Sequence, residues 1–219
     1  VFRTYPRSHP VQTTWSAFRW AVTMGFTSIF DDLVDVFGFD ADVITYKPHD
    51  NISFPSLLHH AVRAKNFDLD IVNRIIQVLG LQHGQYTQTD FQGHTALHEC
   101  MPEPGITSDE SVVARWEAAE ALVRAMDMSA CSVLCHHGNT PWILVAKSFP
   151  ESRTVHELLV HKWLSSRNLE DLLVSGSCGF NVLMHAVKLK KPEMAETLIP
   201  LFGPQGCAAQ AQQDLSTVL

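Results

Sequence analysis

The sequence lacks any apolar run near the roughly 20 residues that a membrane-crossing helix needs. The longest candidate stretches, such as 71–81, are broken by Asn73, Arg74 and Gln77. Membrane insertion is therefore not expected. Basic clusters are equally scarce. The one compact run is Lys188, Lys190 and Lys191, in a chain whose net charge is −7. Phosphate backbones are gripped by clustered Lys and Arg, so no nucleic acid is expected as a ligand. Cysteines are few and odd in number: Cys100, Cys131, Cys135, Cys178 and Cys207. They show no disulfide-framework spacing and read as reduced thiols, which implies an intracellular setting, cytoplasm or nucleus. The opening VFRTYPRSHP has neither a Met nor a long apolar stretch. No signal peptide is expected there, and the numbering is expected to begin inside a longer or processed chain. GLQHG, residues 80–84, has no following Lys and no preceding strand pattern, so it reads as a helix stop rather than a phosphate loop.

What is present is apolar residues, at 46 % of the chain, and repetition. The clearest stretch is DFQGHTALHEC, Asp90 to Cys100. Aligned on Thr95, the segment Ser56, Leu57, Leu58, His59 and Ala61 falls on Thr95, Ala96, Leu97, His98 and Cys100. Gly138, Thr140, Pro141 and Trp142 share that frame, as do Gly179, Asn181, Val182, Leu183 and Ala186. A weaker copy is Ser16, Ala17, Phe18, Arg19 and Ala21. The anchors 16, 56, 95, 140 and 181 are 40, 39, 45 and 41 residues apart. Each copy precedes a second apolar pattern at i, i+1, i+4, i+5 spacing, for example Ile71, Val72, Ile75, Ile76 and Leu79. That spacing is one wide helix face. Gly38, Gly80 and Gly203 fall just past such runs, where a helix stop is wanted. A single helix pair cannot bury its apolar face alone, whereas stacked pairs can.

These residues resemble the ankyrin repeat, whose pattern is approximately D-x-x-G-x-T-P/A-L-H-x-A. Asp90, Gly93, Thr95, Ala96, Leu97 and His98 match it, as do Gly138, Thr140 and Pro141. The resemblance covers about 11–203, in units near 11–50, 51–89, 90–134, 135–175 and 176–203. It leaves an N-terminal extension, 1–10, and a C-terminal cap or tail, 204–219. It implies an all-α ankyrin-repeat solenoid of stacked helix-turn-helix units with protruding turn fingers. Gly93 then supplies positive φ before the helix, Thr95 caps it, and Ala96 or Pro141 suits the first helical position. A buried imidazole needs a partner, and in the family this His bonds the neighbouring turn, so His59 and His98 read as structural. Cys100 fills the small slot between helices.

Departures are visible. Phe54 and Thr14 occupy the glycine slot, so those turns must differ. Ile143, Met184 and Arg19 occupy the His slot, where the inter-repeat bonding should be interrupted. The period exceeds the family's usual span of about 33 residues, through insertions such as MPEPGITSDES and HKWLSSRNLEDLLVSGS. Cys131, Cys135, His136 and His137 offer four metal-type ligands in seven residues. Zinc sites take paired ligands from two separated segments, and no second pair exists at a suitable spacing. His136 and His137 are instead placed on an exposed finger. Trp116, Trp142 and Trp163 are expected in the core, while Trp15 and Trp20 form an N-terminal cap or partner surface.

The resemblance implies a non-catalytic module that binds a protein or peptide partner through a concave face, with no cofactor or metal. The family's variable positions carry over to Trp15, Ile52 and Arg63. In the third unit they are Phe91, Gln92 and His94. In the fourth they are His136, His137, Asn139 and Lys147, and in the fifth Phe180 and Lys188. Phe91 and Trp15 are the first choices for an aromatic anchor. The alternatives are a fixed architectural subunit of a large multiprotein assembly and, third, a metal-dependent enzyme built on the Cys/His cluster.

Overall fold

The computed structural model describes residues 10–46, 55–80, 83–101, 110–166 and 169–203. All regular structure among them is helical. In chain order the helices are α1 (Pro10–Met24), α2 (Thr27–Phe37), α3 (Ala41–Thr45), α4 (Leu57–Val62), α5 (Leu69–Leu79), α6 (His83–Tyr86) and α7 (Ala96–Cys100). Then follow α8 (Glu110–Ala125), α9 (Met128–Cys131), α10 (Pro141–Ser148), α11 (Arg153–Ser166), α12 (Leu169–Leu173) and α13 (Val182–Lys188). A last helix, α14, covers 192–203.

Side-chain caps start many of these helices. Asp40 accepts from the Val43 N–H at 3.1 Å, Asp127 from Ala130 at 3.2 Å, Thr140 from Ile143 at 3.1 Å, and Asn181 from Met184 at 3.0 Å. Each satisfies a donor that the helix itself leaves orphaned. Pro141 takes the first position of α10, where a missing N–H costs nothing.

The helices pack in two rows. In the first, α1 touches α4, α4 touches α7, α7 touches α10, and α10 touches α13. In the second, α5 packs on α8 and α8 on α11. Cross-contacts pair α1 with α2, α4 with α5, α7 with α8, and α10 with α11. At the start of the second row, Arg74 of α5 pairs with Asp31 of α2 and lies 5.1 Å from the Phe30 ring. At its end, Arg153 pairs with Glu193 of α14. One continuous core runs between the rows. It takes Leu57, Leu58 and Leu97 from first-row helices and Ile71, Ile75, Leu122 and Leu159 from second-row helices, with Leu198 from α14. Trp142 and Trp163 are buried in it and Trp116 packs against it, as their spacing predicts.

The N-terminal unit departs from the expected frame. Ser16 is no N-cap: it lies inside α1 and its hydroxyl donates back to the Gln12 carbonyl at 2.9 Å. That is how a helix-interior serine satisfies itself. Helix formation begins at Pro10, so Thr14 sits in a helix and no turn exists there. Trp15 is also corrected. At 2 % exposure it is core, with Tyr46 and His60 rings 5.9 and 6.3 Å away and Arg19 over its face at 5.3 Å. Positions 15, 18 and 22 share one helix stripe, and Trp15, Phe18 and Val22 are all buried. Trp20, on the other side, is 52 % exposed. Phe54, most of the third-unit insertion, the tail expected at 204–219, and all of the extension expected at 1–10 except Pro10, which belongs to α1, fall outside the described residues.

Three loops precede α7, α10 and α13 and share one backbone geometry. Asp90 N–H donates to His94 O at 2.9 Å, Cys135 to Asn139 at 3.0 Å, and Gly176 to Phe180 at 2.9 Å. Gly93, Gly138 and Gly179 close the same turns with φ of 74°, 67° and 74°. The fingers also touch: His136 N–H donates to Gln92 O at 2.9 Å, and Ser177 N–H to Gly138 O at 3.1 Å. A Cβ on Gly138 would meet Ser177 N at 2.4 Å, whereas one on Gly179 meets nothing within 4 Å among the described residues. Gly138→Ala is therefore expected to cost about 2–3 kcal/mol, combining backbone strain with a clash. Gly179→Ala should cost about 1 kcal/mol, from backbone strain alone. Urea denaturation of both variants checks this, and equal losses would show that the finger contact carries no stability.

Candidate functional site

Two kinds of group hold the fingers in place, and they decide which side chains remain free. The first is imidazole. His59 sits three residues after the cap Ser56, and His98 three after Thr95. The ring Nδ1 of His59 accepts the Ser56 backbone N–H at 3.2 Å, and that of His98 accepts from Thr95 at 3.1 Å. The opposite nitrogen, Nε2–H, donates to the next finger: His59 to His94 O at 2.9 Å, His98 to Asn139 O at 3.0 Å. Both rings are buried, at 0 % and 3 % exposure. One tautomer of the neutral ring satisfies both nitrogens. A second proton on Nδ1 would face a backbone N–H. Burial lowers the His98 pKa to about 4, only partly offset by the Asn139 carbonyl, and burial lowers that of His59 too.

The second is an ionic cluster. Arg63, just past α4, donates Nε and Nη2 to the two Glu99 oxygens at 2.7 Å each and also bonds Asp90. The other Asp90 oxygen, Oδ1, accepts the N–H groups of Gln92 and His94 at 2.8 and 2.9 Å, which fixes the third finger. Burial on its own raises the Asp90 and Glu99 pKa values, but the Arg63 guanidinium and the N–H or imidazole donors around them outweigh it, and both end below the usual carboxylate range. Asp90, His94 and Glu99 place ligand atoms within 4.8 Å of one another, a spacing that would suit a metal ion. The Arg63 guanidinium already bonds both carboxylates there, so the cluster works as an internal clasp.

The predicted partner residues divide accordingly. Arg63 is engaged in the clasp. His94 is half-buried, its Nδ1 2.5 Å from Glu99 and its ring stacked on His98 at 5.5 Å. Asn139 gives its carbonyl to His98 and its Oδ1 to the Lys147 ammonium at 2.7 Å. Phe180 is half-buried, edge-on to His185 at 5.9 Å and under Lys188 Nζ at 4.6 Å. Trp15 is in the core, and Ile52 lies outside the described residues. Left exposed are Phe91 and Gln92 on the third finger, His136 and His137 on the fourth, and Lys188 on α13. The Cys/His run is split by the fold: Cys131 and Cys135 are buried while both histidines face out.

The sequence frame missed His156. It is 1 % exposed in α11. Its Nδ1 accepts from Trp142 Nε1 at 3.3 Å, and its Nε2–H donates to Thr197 Oγ1 at 2.6 Å, which passes its own hydrogen to Met194 O at 2.8 Å. It joins α10, α11 and α14 just as His59 and His98 join fingers. Burial lowers its pKa to about 4. No signal distinguishes it in sequence, because it stands outside the aligned frame.

No family model and no curated protein matches the chain. Its own internal repetition is what bears on its class.

The buried imidazoles set a pH dependence. His98 and His156 have folded-state values of about 4 against an ordinary 6.5. The unfolded chain therefore binds more protons between these limits. Their contribution is complete above pH 6.5 and is lost as pH falls toward 4, by up to about 1.4 kcal/mol per pH unit for each ring. Urea midpoints should hold from pH 7.5 to about 6.5 and then fall steadily down to about 4.5. His98→Gln should be less stable at neutral pH and show a shallower slope. An unchanged slope would mean His98 is not held neutral.

Proposed function

We propose that this chain is a non-catalytic protein-interaction module of the ankyrin-repeat type. A protein or peptide partner binds where the finger tips meet the first-row helices, the concave face of such a stack. Three observations support the solenoid reading: two helix rows, three fingers with the same hydrogen-bond closure, and imidazoles that tie the Ser56 and Thr95 caps to the next finger. Free buried thiols at Cys100, Cys131 and Cys135 support an intracellular setting. Among the described residues no helix is long and apolar enough to cross a membrane.

The observation that carries the functional reading is Phe91. It is 65 % exposed at the tip of a turn held rigid by Asp90, with Gln92, His136 and His137 exposed beside it. A large aromatic fixed in water and ringed by polar groups is the anchor type that dominates interfaces. None of these four side chains closes a turn or joins two helices. The double substitution Phe91→Ala/His136→Ala should reduce partner recovery in quantitative affinity capture by at least about tenfold. It should move the thermal midpoint by no more than about 3 °C. Unchanged recovery would remove the finger tips from the interface.

A second reading, a fixed subunit of a larger assembly, is favoured by apolar side chains exposed on the second-row helices. Val36 is 72 % and Val113 61 % exposed, with Leu164 and Ile199 about half exposed. Co-purification in high salt separates the two. A partner held by second-row apolar contacts stays bound, and one held at the polar finger tips leaves.

A further inference from the structure

The first-row helices carry a cation at one register in three repeats. Arg63, Lys147 and Lys188 each stand seven residues after their cap residue, Ser56, Thr140 and Asn181 respectively. Each leans on a finger: Arg63 on Asp90, Lys147 on Asn139, Lys188 on Phe180. Acidic residues are nearly absent from this row. Helices α1, α4, α10 and α13 contain no Asp or Glu. The one acid of α7, Glu99, is engaged with Arg63. The second row holds the acids instead, with Asp31, Asp32 and Asp35 in α2 alone. A chain of net charge −7 thus carries cations with almost no acids along its first-row helices, the row whose third-unit loop bears the exposed Phe91. Arg63 is neutralised by its clasp. Lys147 and Lys188 enter none of the ion pairs among the described residues.

We propose that this face binds an acidic segment of a protein partner in extended form. Two carboxylates meet Lys147 and Lys188, and an apolar side chain meets Phe91. This names the partner's chemistry and rests on the interaction-module reading above. Charge complementarity selects the occupant, because unlike potentials steer and register partners. Both ammonium groups are already positioned, one by Asn139 Oδ1 at 2.7 Å and one by the Phe180 ring at 4.6 Å. Binding therefore orders little that is not already ordered.

The spacing favours an extended peptide. Packed helices such as α10 and α13 lie about 8–10 Å apart. An extended chain of the polyproline II type advances about 3.1 Å per residue with three residues per turn, so acids three positions apart share one face and span that gap. In a helix, acids one turn apart are separated by only about 5–6 Å. Nucleic acid is disfavoured, since two free lysines supply too few phosphate contacts.

The test is selection of a phage-displayed library of random peptides, about 12 residues long, on the immobilised intact chain. Enriched peptides should carry two acids three positions apart and an apolar or aromatic residue. Their affinity should drop about tenfold with Lys147→Gln/Lys188→Gln, and fall with added salt. Circular dichroism melts confirm that each variant is folded. Neutral or basic peptides that still depend on Phe91 would overturn the acidic partner and leave the interaction reading standing. Acidic peptides indifferent to the two lysines and to Phe91→Ala, or no enriched peptide at all, would overturn both. A uridine homopolymer that competes with the same lysine dependence would overturn the peptide in favour of a phosphate polymer.

Discussion

A neutral imidazole, held between a helix cap and the carbonyl of the next loop, is the joint on which this stack depends. His59 and His98 each perform two tasks with one ring. Nδ1 accepts a backbone N–H that the helix start would otherwise leave unsatisfied, and Nε2–H reaches into the following repeat. In the familiar capping box a glutamate takes the first role, but an ionised carboxylate has no proton to donate onward. Histidine has both capacities at once in its neutral form. The geometry thus selects the residue, and burial keeps it uncharged.

Where histidine is missing, other groups take over the same span. Ile143 stands in its slot in the fourth unit and its side chain lies against Gly176. The backbone contact that accompanies His98 at the previous junction is kept there, Ser177 N–H reaching Gly138 O as His136 N–H reaches Gln92 O, and the Ser177 hydroxyl adds a bond to His137 O at 3.0 Å. The second row gains its own imidazole link through His156 and Thr197. An interruption expected from Ile143 is therefore real for the ring and absent for the stack.

Much of this was legible in the sequence, because repetition encodes it. Gly93, Gly138 and Gly179 recur at fixed offsets from Thr95, Thr140 and Asn181, and the turns they make have the same closure. The buried role of His59 and His98 was an implication of the resemblance that this frame carries. The first unit was misread because Ser16 resembles a cap only if a turn precedes it. Pro10 starts the helix six residues earlier, and Trp15 then rotates into the core. Arg63 was legible as a variable position but not as a clasp, because its partners Asp90 and Glu99 belong to the next repeat. Sequence spacing gives a residue's place in its own unit. It does not give what stands opposite in the neighbouring one.

The division of labour within each finger follows from this. The stack is held by backbone atoms of the loops: the carbonyls of residues 94 and 139 accept from imidazoles, and the amides of 136 and 177 donate to the preceding finger. Backbone groups are the same whatever the side chain. The tip side chains Phe91, Gln92, His136 and His137 consequently make none of these joining hydrogen bonds, although the His137 ring lies 6.0 Å from that of His94 on the preceding finger. The exception shows the rule. Asp90 does hold its turn by side chain, and it is 1 % exposed and locked beneath Arg63. A surface built on backbone joints can change its chemistry without loosening its frame. That is why an exposed phenylalanine is tolerable there.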